Sequence, residues 1–306
     1  MSRRLRKELE AAKEIKQDQE EEEHIYQVRK ERIFAPVVWQ ILTNGIKIQD
    51  LKEDKFQLAL AMLEEHYLPS EDLGRNVDLM LDETSVQYSV KRLQYYIKEG
   101  SSLIAVTEDG EVVGLLILRT AKKNEFARVF SRAQITEGES LKKCLQVKNY
   151  INRKVDVYEH FNVDAFLRFY AVCIAPTYRK KALGFTMMKC GVDVARSLKM
   201  PVILGIFTNF KLQKLAKRLG MEVIKEVNYV DWRDEQHELI FSDPGPGNYT
   251  IALMACYTPP APIKPRKIPE RIIEMELEEA KKKKTRMDKR AELVKAGLYT
   301  RNNLLK

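Results

Sequence analysis

The chain has 306 residues, 44% of them hydrophobic, and a net charge of +9, which is enough for one substantial domain or two small ones around a real core. Its four scattered cysteines, Cys144, Cys173, Cys190 and Cys256, form no CxxC pair and have no histidine nearby at ligand spacing, so neither a disulfide framework nor a zinc site is expected, and a reducing, cytoplasmic setting fits best. No stretch approaches the roughly 18 apolar residues of a membrane span, and MSRRLRKELEAAKE at the start lacks the apolar core of a secretory signal.

Residues 2–33 lack Gly and Pro and place opposite charges three and four apart, which predicts one long exposed helix. After Pro36, APVVWQILTNGIKIQDL predicts a strand or short hairpin around Asn44-Gly45. LKEDKFQLALAMLEEHYL sets Phe56, Leu60, Met62, Leu63 and Tyr67 near helical spacing and stops at Pro69, with PSEDLG as a loop. SVQYSVKRLQYYIKEG is a second helix, and SSLIAVTEDGEVVGLLILRT a hairpin around Asp109-Gly110. Residues 139–160 are predicted helical, and FLRFYAVCIAP a strand buried on both faces.

TYRKKALGFTM follows directly. KALGFTMMKCGVDVARSLKM then predicts a helix with Leu183, Met187, Met188, Val192, Val194 and Leu198 inward, PVILGIFTNF a strand and loop, and KLQKLAKRLG a helix closed by Gly220. MEVIKEVNYVDW and YTIALMACYT are the last strands, separated by the irregular FSDPGPGN. This succession implies an α/β (α+β) fold with a mixed central sheet flanked by helices. TPPAPIKPRKIPER is an extended linker, and the segment after it a charged outlying helix. The expected organisation is an N-terminal extension over 1–33, a domain over 34–259, and a linker with a basic helix over 260–306.

The positive charge sits at the far end: residues 262–306 hold 14 Lys/Arg against 7 Asp/Glu, a net of +7, whereas residues 1–33 hold nine of each. Such a run is either a solvated helix face or an attraction to something acidic. An acidic protein polymer such as tubulin in a microtubule or axoneme is the first candidate, and RNA the second, since the tail lacks the aromatic and glycine interleaving of single-strand readers.

Chemically, TYRKKALG between a strand and a helix is a candidate anion site. The first N–H groups of a helix have no intrahelical partner, and the helix dipole favours negative charge there. Arg179, Lys180 and Lys181 add positive charge, and Gly184 allows close approach; a solvated basic loop is the plain alternative. His24, His66, His160 and His237 are isolated, and the Tyr95-Tyr96-Ile97 group and Met187-Met188 pair belong to helical core periodicity. Trp39 and Trp232 suit an aromatic-amine pocket or ordinary strand packing equally well.

The order of these segments, from HYLPSEDLG through KVDVYEHFNVDAFLRFYAVCIAPTYRKKALG to TNFKLQKLAKRLGME and VNYVDW, resembles the GNAT superfamily of acetyl-CoA-dependent N-acetyltransferases. The nearer resemblance is to the insect-type arylalkylamine branch, over roughly residues 37–257. It implies that Arg179, Lys180, Lys181, Ala182, Leu183 and Gly184 form the coenzyme A pyrophosphate turn. It further implies that Val172, Cys173 and Ile174 supply backbone groups to the pantetheine arm and thioester carbonyl, with Asn209 near that arm. Glu71 then takes the acidic catalytic position and Thr208 a serine-hydroxyl position.

The chain departs from that pattern at Ala182, which replaces a glycine of the turn, at Leu212, which replaces a second serine, and at Ala216, where many GNAT enzymes carry a tyrosine acid. It also lacks the proline that usually follows the acidic residue. Two functions are therefore expected: acetyl transfer to a primary, arylalkyl-type amine by direct attack in a ternary complex, or a catalytically impaired GNAT scaffold docked by its charged ends in a large assembly.

Overall fold

The computed structural model describes residues 35–123 and 137–260. The outlying helices expected at the two ends of the chain fall outside the described residues. Eight strands, β1 (Val38–Ile41), β2 (Lys47–Asp50), β3 (Leu103–Val106), β4 (Val112–Lys122), β5 (Ala165–Ile174), β6 (Val202–Phe207), β7 (Glu222–Asn228) and β8 (Thr250–Tyr257), form one sheet in the order β1-β2-β3-β4-β5-β6-β8-β7. Every pairing is antiparallel except β5 with β6. Both expected hairpins are present. Their turns put Gly45 at φ 80° and Gly110 at φ 88°, a region that costs glycine nothing and other residues about 1 kcal/mol or more.

The helices are α1 (Phe56–Met62), α2 (Asp72–Asn76), α3 (Glu83–Ile97), α4 (Glu139–Lys154), α5 (Val157–Phe161), α6 (Leu183–Ser197) and α7 (Phe210–Arg218). Alternation along the strands divides the core between the two sheet faces. Leu116 and Leu118 join Met187, Met188 and Val192 of α6 on one face, whereas Leu115 and Ile117 join Met62 of α1 and Leu93 and Ile97 of α3 on the other. On that second face α4 contributes Val147 and Ile151 against Val202, Leu204 and Leu253.

Gly191 sets how closely α6 approaches the sheet. A Cβ there would stand 2.8 Å from Phe169 Cζ and 2.9 Å from Leu116 Cδ2. Gly191→Ala is expected to destabilise the fold by about 1–3 kcal/mol through overpacking, read as a lower denaturation midpoint; unchanged stability would show that the contact relaxes freely.

Several expectations are corrected. The predicted helix over 139–160 is two helices, because Asp156 turns extended and caps α5, accepting from Tyr158 N at 2.9 Å and Glu159 N at 3.2 Å. PSEDLG is not a plain loop: α1 runs on through a π turn, Leu63–Tyr67, and a 3-10 turn, Leu68–Ser70, before α2 begins. Leu198 is 41% exposed, because α6 stops one residue before it.

The strand expected to be buried on both faces is so only at Phe166 and Leu167. From there it alternates, leaving Arg168, Tyr170, Val172 and Ile174 half-buried. A bulge divides the buried residues between the two faces, Leu167 and Phe169 on one and Ala171 and Cys173 on the other. Ile117 pairs with Ala171 while the adjacent Leu118 pairs with Phe169, so Tyr170 is an extra residue that switches which side chains face α6.

Candidate active site

The parallel β5–β6 pairing covers only Leu167–Phe169 against Ile203–Gly205. Past it both strands continue, β5 on β4 as far as Ile174 and β6 on β8 as far as Phe207. The sheet therefore opens between them at the Tyr170 bulge. Ala175 N donates to Val113 O at 3.0 Å, which fixes the phase of the ladder. By its alternation Cys173 bonds back to Leu115, while Val172 and Ile174 turn their N–H and C=O groups into the opening.

Of the three expected strand residues, then, Val172 and Ile174 serve the opening and Cys173 does not. The Cys173 side chain is buried on the far face, with its thiol 3.9 Å from Met62 O, and burial pushes that thiol up to about 12.

The expected phosphate turn closes one end of this opening. Pro176–Tyr178 is a 3-10 turn, and α6 starts at Leu183 with no side chain capping it. Arg179 Nε donates to Ile174 O at 2.9 Å, tying the turn to the open edge. Lys180 and Ala182 both lie in the left-handed region, at φ 63° and 60°. Ala182 thus keeps the glycine-type backbone despite its methyl, at a cost of about 1–2 kcal/mol.

Gly184 faces the strand, where an added Cβ would be 3.6 Å from Ile174 Cγ1 and 3.9 Å from Val172 Cγ1. A cation that the sequence reading missed also stands here: the Arg218 guanidinium lies 3.9 Å from the centre of the Phe185 ring. The residues present fit a pyrophosphate, with unpaired helix donors, exposed Arg179, Lys180 and Lys181, and space over Gly184.

A second cluster forms around Glu71. Its Oε2 accepts from Gly74 N at 2.7 Å, capping α2, and its Oε1 meets Lys148 Nζ at 3.2 Å. Asp72 Oδ2 accepts from Asn209 Nδ2 at 2.8 Å, and Asn209 Oδ1 caps α7 by accepting from Leu212 N at 2.8 Å. The Asn209 side chain is therefore committed to joining α2 and α7. Burial raises the Asp72 carboxyl above the usual carboxylate range, the Asn209 hydrogen bond opposes this, and the Glu71 charge adds to it.

The Tyr229 hydroxyl donates to Thr208 O at 2.6 Å. Its phenol is held well above the ordinary tyrosine range by burial, then by Glu71 and Asp72. Thr208 itself is 7% exposed. Leu212 packs at the edge of the core, and Ala216 is wholly buried in it, so α7 presents no hydroxyl at either position.

Glu71, Lys148, Tyr67, Cys144, Ser89 and Arg92 line a cavity of about 80 Å³ that opens to the surface. Tyr67 links this cavity to β5 by packing against the cluster that holds Ala171 and Cys173; burial, then the Glu71 charge, raises its phenol. Burial also pushes the Cys144 thiol up to about 12, which removes it as a thiolate nucleophile.

The sequence-predicted residues accordingly gather in two groups. Val172, Ile174, Arg179 and Gly184 meet at the opening; Glu71, Thr208 and Asn209 meet through Asp72 and Tyr229. Lys180 and Lys181 point to solvent, Lys181 Nζ lying 5.4 Å from the Tyr178 ring centre. Tyr67, Asp72, Lys148 and Tyr229 went unassigned in the sequence; the carboxylate pair in SEDLG was the available signal for Asp72. Trp39 donates to Asp50 Oδ1 at 2.7 Å, and Trp232 is set edge-on to Tyr150 at 5.3 Å, its buried indole N–H without a partner among the described residues.

No protein-family model matches the chain, and no curated protein is significantly similar to it. Solved structures do share its architecture. Arylalkylamine N-acetyltransferase 2 from Aedes aegypti is 20% identical, with a TM-score of 0.65 over 71% of this chain and 100% of its own. The Drosophila melanogaster polyamine N-acetyltransferase, which forms N-acetylagmatine, is 19% identical, with a TM-score of 0.58 over 69% and 99%. The C-terminal condensation domain of Ebony, solved with β-alanyl-dopamine, is 10% identical, with a TM-score of 0.57 over 69% and 98%. An opened parallel strand pair, an uncapped helix start beside it and these likenesses together establish that the chain has the GNAT acetyltransferase fold, with insect arylalkylamine N-acetyltransferases among its structural neighbours.

Proposed function

We propose that this chain transfers an acetyl group from acetyl-CoA to a primary amine by direct attack within a ternary complex. The observation that carries the reading is the parting of β5 from β6 beside the uncapped start of α6. Acetyl-CoA, when bound, would supply the acetyl group: as the amine nitrogen bonds the carbonyl carbon the C–S bond breaks, and the departing coenzyme A thiolate takes up the second proton that the nitrogen loses. The α6 N–H groups with Arg179, Lys180 and Lys181 hold the pyrophosphate, and Val172 and Ile174 turn backbone groups toward the thioester arm, where a donor to the carbonyl oxygen strengthens as charge develops.

Glu71 takes the proton of the incoming ammonium so that a neutral amine attacks. Thr208 and Asn209 act as positioning residues, through Tyr229 and Asp72 respectively. Direct transfer is favoured over an acyl-cysteine route because burial raises all four thiols, to about 12 for Cys144, Cys173 and Cys190 and about 11 for Cys256. An aromatic acceptor rests on likeness to the arylalkylamine enzymes, not on Trp39 or Trp232. Calorimetry with acetyl-CoA, followed by thiol release over an amine panel, tests the reading; no binding at millimolar coenzyme would overturn it.

A further inference from the structure

Part of the wall of the cavity that Glu71 lines is built by one face of α3. Ser89 and Arg92 stand three residues apart, so both side chains lie on the same side of the helix, and both line the cavity. The Ser89 hydroxyl is buried, at 6% exposure, and has no hydrogen-bond partner. Leaving such a group unpaired costs about 1–3 kcal/mol, and orphaned buried hydroxyls call for an explanation.

Arg92 is half-buried. Among the described residues its guanidinium bonds only to the Tyr96 hydroxyl, at 2.9 Å, with no carboxylate partner. Lys148 differs, since its charge is answered by Glu71 at 3.2 Å. Two more guanidinium groups lie behind Arg92: Arg119 is 5.3 Å from the Tyr96 ring centre and Arg168 is 4.9 Å from that of Tyr170, which in turn packs 4.4 Å from Tyr96. Arg119 is paired with Glu99.

The cavity therefore joins the Glu71 carboxylate, which is shared with Lys148 and the α2 cap, to a hydroxyl and a guanidinium that suit a carboxylate. Its volume of about 80 Å³ is roughly half the ~150 Å³ that holds a benzene ring.

We infer that the acceptor is a small amino acid, with its amine toward Glu71 and its carboxylate held by the Ser89 hydroxyl and the Arg92 guanidinium. This rests on the acetyl-transfer reading for the direction of the amine, while the carboxylate site stands on the α3 wall. A site built around buried polar groups rejects an analogue that leaves them unpaired.

The test uses the full chain and length-matched pairs with and without the carboxylate: β-alanine against propylamine, and γ-aminobutyrate against butylamine. Acetylation kcat/KM is measured for each pair, and so is calorimetric binding without coenzyme. The carboxylate-bearing member is expected to win by about 10- to 100-fold, as for hydrogen bonds to charged groups. Arg92→Gln should bring the ratio near one while leaving the acetyl-CoA Kd unchanged. Should that variant fail to fold, Ser89→Ala carries the test and should reduce the preference. A wild-type ratio at or below one, or a ratio that neither variant moves, overturns the inference. Failure of acetyl-CoA to bind overturns the acetyl-transfer reading instead, and the binding ratio then decides the carboxylate site alone.

Discussion

Replacing Glu71 by Gln is expected to lower kcat by about 10²- to 10⁴-fold, the range for loss of a positioned general base, with the acetyl-CoA Kd unchanged. The amide oxygen of Gln can still accept from Gly74 N, so the cap on α2 survives in kind. What disappears is the charge opposite Lys148; the Lys148 and Glu71 side chains are 29% and 13% exposed, and because Lys148 can turn toward water the cost lies toward the ~1 kcal/mol of an exposed pair and below the ~3–5 kcal/mol of breaking a buried one. A small drop in melting temperature with a large drop in kcat is thus the signature of a base. A large drop in stability with kcat intact would assign Glu71 to capping alone. Asp72→Asn separates the two neighbouring carboxylates: Asp72 faces Asn209 rather than the cavity, so its loss should be felt more in how α2 and α7 are held together than in turnover.

The hairpins, the α6 periodicity and the mixed sheet were legible because each depends on local pattern. Asn44-Gly45 and Asp109-Gly110 need only their own backbone freedom, and the buried Met187 and Met188 sit where a helical repeat puts them. Features that depend on two elements at once were not legible. A bulge is one extra residue relative to a partner strand, so nothing in FLRFYAVCIAP alone singles out Tyr170. That bulge makes Cys173 a core residue and leaves Val172 and Ile174 at the opening. The same holds for Asn209, whose role depends on Asp72, 137 residues away, and for Ser89 and Arg92, which line a cavity only once α3 meets the elements that carry Glu71 and Lys148. The short α2 was masked by Pro69 and Gly74, yet Glu71 caps it with its own side chain.

Removing the three charges of the turn together, as Arg179→Ala, Lys180→Ala and Lys181→Ala, is expected to weaken acetyl-CoA binding by about 100-fold at low salt. The loss should shrink as ionic strength rises, because exposed charges are screened over a Debye length of about 10 Å at 0.1 M. Stability should fall by no more than the lost Arg179–Ile174 hydrogen bond, about 1 kcal/mol, since all three side chains are exposed. Calorimetry at two salt concentrations reads both effects, and a salt-independent affinity equal to wild type would remove the turn from coenzyme binding.

Gly184 gives the sharper test of the same site. An added methyl there meets Ile174 and Val172 at ordinary contact distance, 3.6 and 3.9 Å, and alanine is the better helix former by about 1 kcal/mol. Gly184→Ala should therefore melt higher than wild type while binding acetyl-CoA more weakly, so that the lost space is assigned to the ligand and not to the fold. Ala182→Gly works in the other sense. Relieving a left-handed alanine at φ 60° outweighs the added freedom of glycine in the unfolded chain, so that variant should be more stable, with affinity equal to wild type or tighter. If Gly184→Ala binds the coenzyme as well as wild type does, the groove over α6 is not where its phosphates lie.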